Sequence, residues 1–446
     1  MKKIYIVLFH FIIFINYLPV YAEIEVLPDE TWSLQSDILY NDEYASGKAH
    51  IYKSDKNSQL KQPVIFVEGL NVDKEMGWEE LYQQLNQQNL IENLRLHCFD
   101  IVILDVDNSL DYIQKNAFLL VTLIEKISVE KYGSEKSVVI GVGSGGLIAR
   151  YALVYMENKN IPHETSTFIS LDSPHQGGNI PLGVQHWLAF FNSASNLAKA
   201  QIEMLNMPFS KQMLIYHYTE TNLLTNVPNP HPLKKEFMDE LDNLGNYPKN
   251  VRKIAISNGN AQGQGLSFQP GDQLLDFEVD LFIAKAMGNA WSLPNSMQEI
   301  TIFHGLFQNV PDIPNNSEMI KIKGTQFFDN VPGSTQPTNK KIADGELPTG
   351  DITTENPYHC FVPTISALDI DTTDFFYNVE GDKDILNKTP FDKIYYSTQN
   401  EGHLTISSGC ASWIMKEVCI NAIDINDDCK IDLRDVLILL KKLSKI

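Results

Sequence analysis

The sequence predicts an α/β fold built on a mostly parallel, doubly wound sheet, and three observations carry that prediction. Apolar, β-branched runs of strand length recur along the chain: PVIFVEG (63–69), FDIVILDV (99–106), SVVIGV (137–142), TFISLDS (167–173) and VRKIAISNG (251–259). Runs that are apolar on both faces suit strands buried between two layers. Amphipathic segments of helix length, WEELYQQLNQQNLIENL and YIQKNAFLLVTLIEKISVEKYG, lie between the early runs. That alternation places helices on both faces of a parallel sheet. Finally, 446 residues at 43% hydrophobic content are enough to bury such a core.

In chain order, the N-terminus reads first as a targeting signal. Met1-Lys2-Lys3 is a short basic start, IYIVLFHFIIFINYLPV an apolar run, and Val20-Tyr21-Ala22 a small-residue cleavage site. The run is shorter than the ~20 apolar residues of a membrane span. Residues 1–22 are therefore expected to be a signal peptide and the protein to be exported, extracellular or periplasmic; an uncleaved anchor is the alternative. The body is expected to occupy residues 23–415, with two insertions. Residues 178–245 are helix-rich and lid-like, with VQHWLAFFNSASNLAKAQIEMLNM supplying aromatics and methionine. Residues 263–350 are rich in Gly, Pro and Asn and hold strand-like pieces such as EITIFHGLF, a β-rich insertion. No repeat at solenoid periods is visible. The formal net charge of −21 argues against nucleic-acid binding, which needs cations on phosphates. Of the five cysteines, Cys98 beside a strand reads as a buried small hydrophobe, and Cys419 and Cys429 are close enough to close a small loop.

The segment VVIGVGSGGLIARYAL (138–153) reads as a strand, a glycine-rich turn and a helix. A nucleophile presented on such a turn sits at positive φ, with small residues two positions to either side and a helix N-terminus behind it to stabilise negative charge. Two registers are open. Centred on Ser144, the flanks are Val142 and Gly146, and the upstream small residue is missing. Centred on Gly143, the flanks are Gly141 and Gly145, and the central residue has no side chain to react; glycine is also the least costly residue at positive φ.

GVGSGGLIARYAL resembles the G-x-S-x-G-G-L-x-A-R-Y segment of lipase-like α/β-hydrolases, with Gly143 standing where the serine would be. PVIFVEGLN resembles the early strand and loop that carries His-Gly and an oxyanion donor in these lipases; Glu68-Gly69 stands in that place. FISLDSPHQGGNIPLG resembles the lipase strand that ends in Gly-Thr-Pro-His-x-Gly, and HCFVPTISALD and NEGHLTIS resemble the late segments that bring the acid and the histidine, so the resemblance spans roughly residues 60–410. It implies a sheet of α/β-hydrolase type and an ester-hydrolase chemistry, with oxyanion N–H groups at Leu70 or Asn71 and at Gly145.

A serine hydrolase needs a base and an acid that orients it, in the order Ser, acid, His. His403 in NEGHLTIS is the best base, ahead of His359 and His175. The acid is Asp369 in SALD or Asp172 at the end of TFISLD, with a slight inclination to Asp369. The expected function is a secreted, lipase- or esterase-like carboxylic-ester hydrolase with Ser144 as nucleophile. The apolar 178–215 stretch suits a hydrophobic or small ester. The alternative is a catalytically inactive binding protein on the same scaffold, with Gly143 in the nucleophile position.

Residues 420–446 form an acidic tail. Asp424, Asn426 and Asp428 supply oxygen ligands at alternate positions, followed by Lys430, Asp432 and Asp435 at the later loop positions and the amphipathic VLILLKKL. Oxygen ligands at that spacing suit Ca²⁺. The tail resembles a single dockerin repeat, the loop–helix half of an EF-hand, with Cys429 where the loop glycine would be. The resemblance implies a bound Ca²⁺ and a cohesin-like or surface partner.

Overall fold

The computed structural model describes residues 26–55, 59–69, 78–222, 225–294, 298–323, 329–345 and 350–419, with a few single positions after them. The apolar runs form the middle of an eight-stranded sheet. Its strands are β1 (Glu30–Gln35), β2 (Ser46–Tyr52), β3 (Pro63–Glu68), β4 (Asp100–Val106), β5 (Ser137–Val142), β6 (Thr165–Leu171), β7 (Arg252–Asn260) and β8 (Lys393–Ser397). The spatial order is β1-β2-β4-β3-β5-β6-β7-β8. Pairing is parallel from β4 through β8 and antiparallel for β1–β2 and β2–β4. This is a mostly parallel, doubly wound sheet of α/β-hydrolase type.

The two faces of the sheet explain the continuous apolar runs. Ile65 and Val67 of β3, Val102 and Leu104 of β4 and Val139 of β5 pack in one core layer with helices α3 (Ile113–Glu130) and α4 (Gly145–Asn158). Their neighbours Val64, Phe66, Ile101, Ile103, Val138 and Ile140 pack in a second layer. That layer is closed by α1 (Trp78–Leu85), α2 (Leu90–Leu96) and the helix Ser408–Cys419. Alternate side chains of a strand point to opposite faces, so a strand covered twice must be apolar throughout.

The segment predicted as one helix over WEELYQQLNQQNLIENL is two. Gln88 and Asn89 take left-handed φ values of 57° and 56° between α1 and α2. The Asn86 carboxamide oxygen accepts from Ile91 N–H at 3.0 Å and restarts the helix. The stretch after β6 is helical, led by α5 (Leu182–Phe191). The following region holds a five-stranded sheet that includes Lys285–Trp291, Ile300–Gln308 and Asn316–Ile322. Phe190 of α5 stacks on Phe307 of that sheet and tilts against Phe303, Phe191 meets Phe307 edge-on, and Trp187 Nε1 donates to Gly288 O at 3.2 Å, so the helical segment and this sheet pack on one another. Cys98 is disulfide-bonded and not the reduced apolar filler expected. Cys419 is not disulfide-bonded, so the expected Cys419–Cys429 pair is not formed.

After β3 the chain builds β4 on one side and then β5 on the other. The crevice beyond the C-terminal ends of β3 and β5 is therefore the switch point where such sheets bind ligands.

Candidate active site

The bend after β5 settles the register. Gly143 has φ +56°, whereas Ser144 has φ −65° and ψ −15° and caps α4. Gly143 N donates to Leu171 O at 2.8 Å, and Gly146 N returns to Gly143 O at 3.1 Å. The flanking glycines are needed for space. A Cβ on Gly141 would lie 2.4 Å from Gly146 Cα, one on Gly145 1.9 Å from Val67 O, and one on Gly146 1.9 Å from Ser173 Oγ. The glycine pattern thus belongs to a turn centred on Gly143, at whose crest there is only an α-carbon.

What faces that crest is an imidazole. A Cβ built on Gly143 would meet His403 Nε2 at 3.0 Å and Leu404 Cδ2 at 2.9 Å. Real Cβ atoms rarely come so close, so the ring occupies part of the room a side chain would take. His403 Nδ1 donates to Asp172 Oδ2 at 2.7 Å. Asp172 is wholly buried at φ +49° directly after β6, and its Oδ1 accepts from Asn258 N–H at 3.0 Å. The Asn258 carboxamide donates to Thr405 O at 2.9 Å and Gly402 O at 3.3 Å, tying β7 to the loop that carries His403. Phe361 packs edge-on against the ring, with centroids 4.7 Å apart. With Nδ1–H committed to a carboxylate, neutral His403 presents an Nε2 lone pair to the crest. An aligned base is therefore present with no nucleophile in front of it.

Ser144 does not take that place. Its side chain packs under Gly69, where an added Cβ would lie 1.6 Å from Ser144 Oγ. The hydroxyl is buried and has no hydrogen-bond partner among the described residues. Glu68, the last residue of β3, lines the same small cavity of about 70 Å³ with Gly143, Ser144 and His403. Glu68 is only 6% exposed, and its Oε1 likewise has no partner. Burial, aided by the like charge of Asp105, pushes its carboxyl up to about 8, so it is protonated at neutral pH. The sequence marks Glu68 only as a departure from a family pattern; that it is a neutral acid in the site depends on burial. Asn258 carries no sequence signal beyond its place at a strand end.

The remaining candidates lie elsewhere. Asp369, towards which the sequence reading inclines, is not beside His403. It accepts from Tyr247 Oη at 2.5 Å and Gln176 Nε2 at 3.0 Å, and it faces Arg150 Nη1 at 3.8 Å. Arg150 is buried on α4, and its guanidinium lies 3.7 Å over the Tyr247 ring. This cluster clamps α4 and the segment before β7 to the loop at Asp369. His175 belongs to it, bonded to Ser170 Oγ at 2.7 Å, and burial next to Arg150 pulls it down to about 3. His359 is buried between Cys360 O at 2.8 Å and Thr338 Oγ1 at 2.9 Å, and burial lowers it to about 4. Both histidines are neutral fixtures. Gly145 heads α4 behind the crest. Leu70, Asn71 and the tail positions Asp424, Asn426, Asp428, Lys430, Asp432 and Asp435 lie outside the described residues.

No protein-family model and no curated protein matches the chain. Solved structures do. The lipase of Bacillus licheniformis in its propeptide form is 15% identical over 53% of this chain and 40% of that chain, with a TM-score of 0.27. Its mature form is 17% identical over 53% and 73%, with a TM-score of 0.28. A carboxyl esterase from the mycorrhizal fungus Tuber melanosporum is 11% identical over 51% and 67%, with a TM-score of 0.30. This chain thus spans less than half of the propeptide-form lipase. Such distant likenesses say nothing about activity, and the architecture rests on the strand order and the bend described above.

Proposed function

We propose that the protein is a binding protein on an α/β-hydrolase scaffold, which recognises an apolar carboxylic ester or acid in the cleft at His403 and forms no acyl-serine. The observation that carries this reading is the bare crest at Gly143. Acyl transfer through a serine needs a hydroxyl within hydrogen-bond reach of its base. The only side-chain position aimed at His403 Nε2 from that turn is empty, and the neighbouring Ser144 hydroxyl is packed against Gly69. A second reading, hydrolysis through Ser144, draws on the intact Asp172–His403 pair. It would require the turn to re-register by one residue against three glycine contacts.

Hydrolysis of p-nitrophenyl butyrate and octanoate separates the two. The binding reading expects wild type, S144A and H403A all at the buffer rate, with turnover appearing in G143S. Wild-type turnover abolished by S144A or by H403A overturns it.

The following proposals for the chain's ends rest on the sequence. Residues 424–435 bind Ca²⁺ and attach the protein to a cohesin-like or surface partner. The protein is exported after loss of residues 1–22; the disulfide at Cys98 is consistent with an oxidising compartment. Thermal melting with and without chelator, in wild type and Asp424→Ala, tests the first; no difference in either rejects a stabilising ion. N-terminal sequencing of protein recovered outside the cytoplasm tests the second.

A further inference from the structure

Three polar groups converge on the cavity at the crest without a partner for the atom they present. Ser144 Oγ and Glu68 Oε1 are buried and unsatisfied, and His403 Nε2 faces the bare α-carbon. An unpaired buried polar atom costs on the order of 1–3 kcal/mol, so two in one small space call for a ligand that satisfies both. Behind them the N–H groups of Ser144 and Gly145 head α4, a fourteen-residue helix. The first N–H groups of a helix have no intrahelical acceptor and favour negative charge. The set is rich in donors: two backbone N–H groups, the Ser144 hydroxyl and a protonated Glu68, with the Gln336 carboxamide at the rim and His403 Nε2 as the base opposite them.

That inventory matches one functional group. From these convergent donors and the single base opposite them, we infer that the cavity binds the carboxyl group of a free apolar carboxylic acid in preference to its ester. The inference rests on the binding reading and names the ligand class of the same site. One ligand oxygen accepts from Ser144 and the head of α4. The other lies between Glu68 and His403 and accepts the Glu68 O–H. The ligand enters as the carboxylate, and His403 Nε2 takes up one proton from water on binding, the imidazolium being held against Asp172. No covalent bond of the ligand forms or breaks. An ester oxygen bearing an alkyl group cannot fill the position between Glu68 and His403.

The missing side chain at position 143 is what leaves room for the second oxygen, which explains why the bare crest and an intact base occur together. The ligand's apolar part has a place to go. A cavity of about 250 Å³ shares Met213, Phe361, His403 and Leu404 with the polar one, and adds Ile180 and Ile342.

Glu68 makes the inference testable by pH. The charged and titratable groups around it among the described residues are Asp105, paired to His50 at 3.4 Å on the far side, and the His403–Asp172 pair across the cavity. The sign is fixed: above about 8 the Glu68 proton is lost, a donor becomes a carboxylate, and it repels the ligand. A fatty acid free in water is already a carboxylate from pH 6.5 to 9.5, so its own charge does not change. Any contribution of His403 is common to wild type and E68Q, so the ratio of their affinities reads Glu68 alone.

The experiment is calorimetric titration of the full chain with octanoate and with methyl octanoate. At pH 6.5 wild type is expected to bind octanoate at least about tenfold more tightly than the methyl ester. E68Q stays neutral and a donor at both pH values, so the ratio of its octanoate affinity to that of wild type is expected to rise about tenfold from pH 6.5 to pH 9.5. S144A is expected to weaken octanoate several-fold and leave the methyl ester unchanged; it decides the matter if E68Q fails to fold. Equal binding of acid and ester, a wild-type/E68Q ratio constant from pH 6.5 to 9.5, or no effect of S144A on octanoate overturns the inference. Its failure is distinct from failure of the binding reading: wild-type cleavage of p-nitrophenyl octanoate sinks the latter even if octanoate binds as a product, whereas an inert protein that does not discriminate acid from ester sinks only the carboxyl inference.

Discussion

The two sides of the cleft differ in how completely their polar groups are partnered. On the β6–β7 side every polar atom of the Asp172 carboxylate is used: one oxygen takes His403 Nδ1–H and the other Asn258 N–H, and Asn258 fastens the histidine loop. On the β3–β5 side Glu68 and Ser144 each present a buried atom with no partner, and Gly143 presents nothing. The first side is a fully partnered carboxylate–imidazole pair; the second is centred on a glycine. An imidazole ordered by Asp172 and facing a bare α-carbon can carry a proton against a ligand's carboxylate without any serine. Buried polar networks are costly when half-satisfied, so the unpartnered side is where a ligand gains most.

That contrast can be broken outright. G143S restores a hydroxyl at the crest and is expected to raise p-nitrophenyl butyrate hydrolysis by at least ~10³-fold over wild type, with H403A in the same background abolishing the gain. Because a Cβ there meets Leu404 Cδ2 at 2.9 Å, the double variant G143S/L404A gives the serine room and is expected to be at least as active.

The next effect separates the two aspartates. D369A leaves the Arg150 guanidinium, 1% exposed, without its carboxylate, and should destabilise the fold by about 4 kcal/mol in denaturant titration while leaving ligand binding at His403 unchanged in the folded protein.

Smaller still is the gain from E68Q. Glu68 keeps its proton to about 8 in the folded state against 4.5 in the unfolded chain. The native state therefore binds more protons between those values, and wild-type stability falls as pH rises through that window. E68Q lacks this loss, so it should be more stable by about 3 kcal/mol at pH 7, with the difference vanishing below pH 4.5. Melts at pH 4.5 and pH 7 read the sign directly. The smallest effect is expected of S144A in the G143S background. Its hydroxyl has no partner among the described residues, so activity should change less than about threefold and stability should rise by about 1 kcal/mol.

How much of this was legible in the sequence follows from where each signal resides. The core strands were readable because both of their faces are buried, which leaves unbroken apolar runs at 63–69 and 137–142. The Gly143 register was readable too, since Gly141 and Gly145 flank it symmetrically, although the serine next to it held the alternative open. The choice between Asp172 and Asp369 was not. Both follow core segments, both sit at positive φ, 49° and 46°, and only the fold brings one of them to His403. The break between α1 and α2 was hidden because Gln88 and Asn89 are ordinary in a helical pattern until their left-handed dihedrals are seen. Glu68 as a neutral acid was out of reach for the same reason: its protonation is a property of burial in assembled layers.

The central claim is that no reactive hydroxyl stands at the crest of the bend after β5. Its most direct test is intact-mass and peptide analysis after incubation with a fluorophosphonate, which phosphonylates a serine activated by an adjacent imidazole. Wild type is predicted to take up no phosphonyl group, while G143S takes up one, at position 143. A stoichiometric adduct on Ser144 of the wild type would contradict the account.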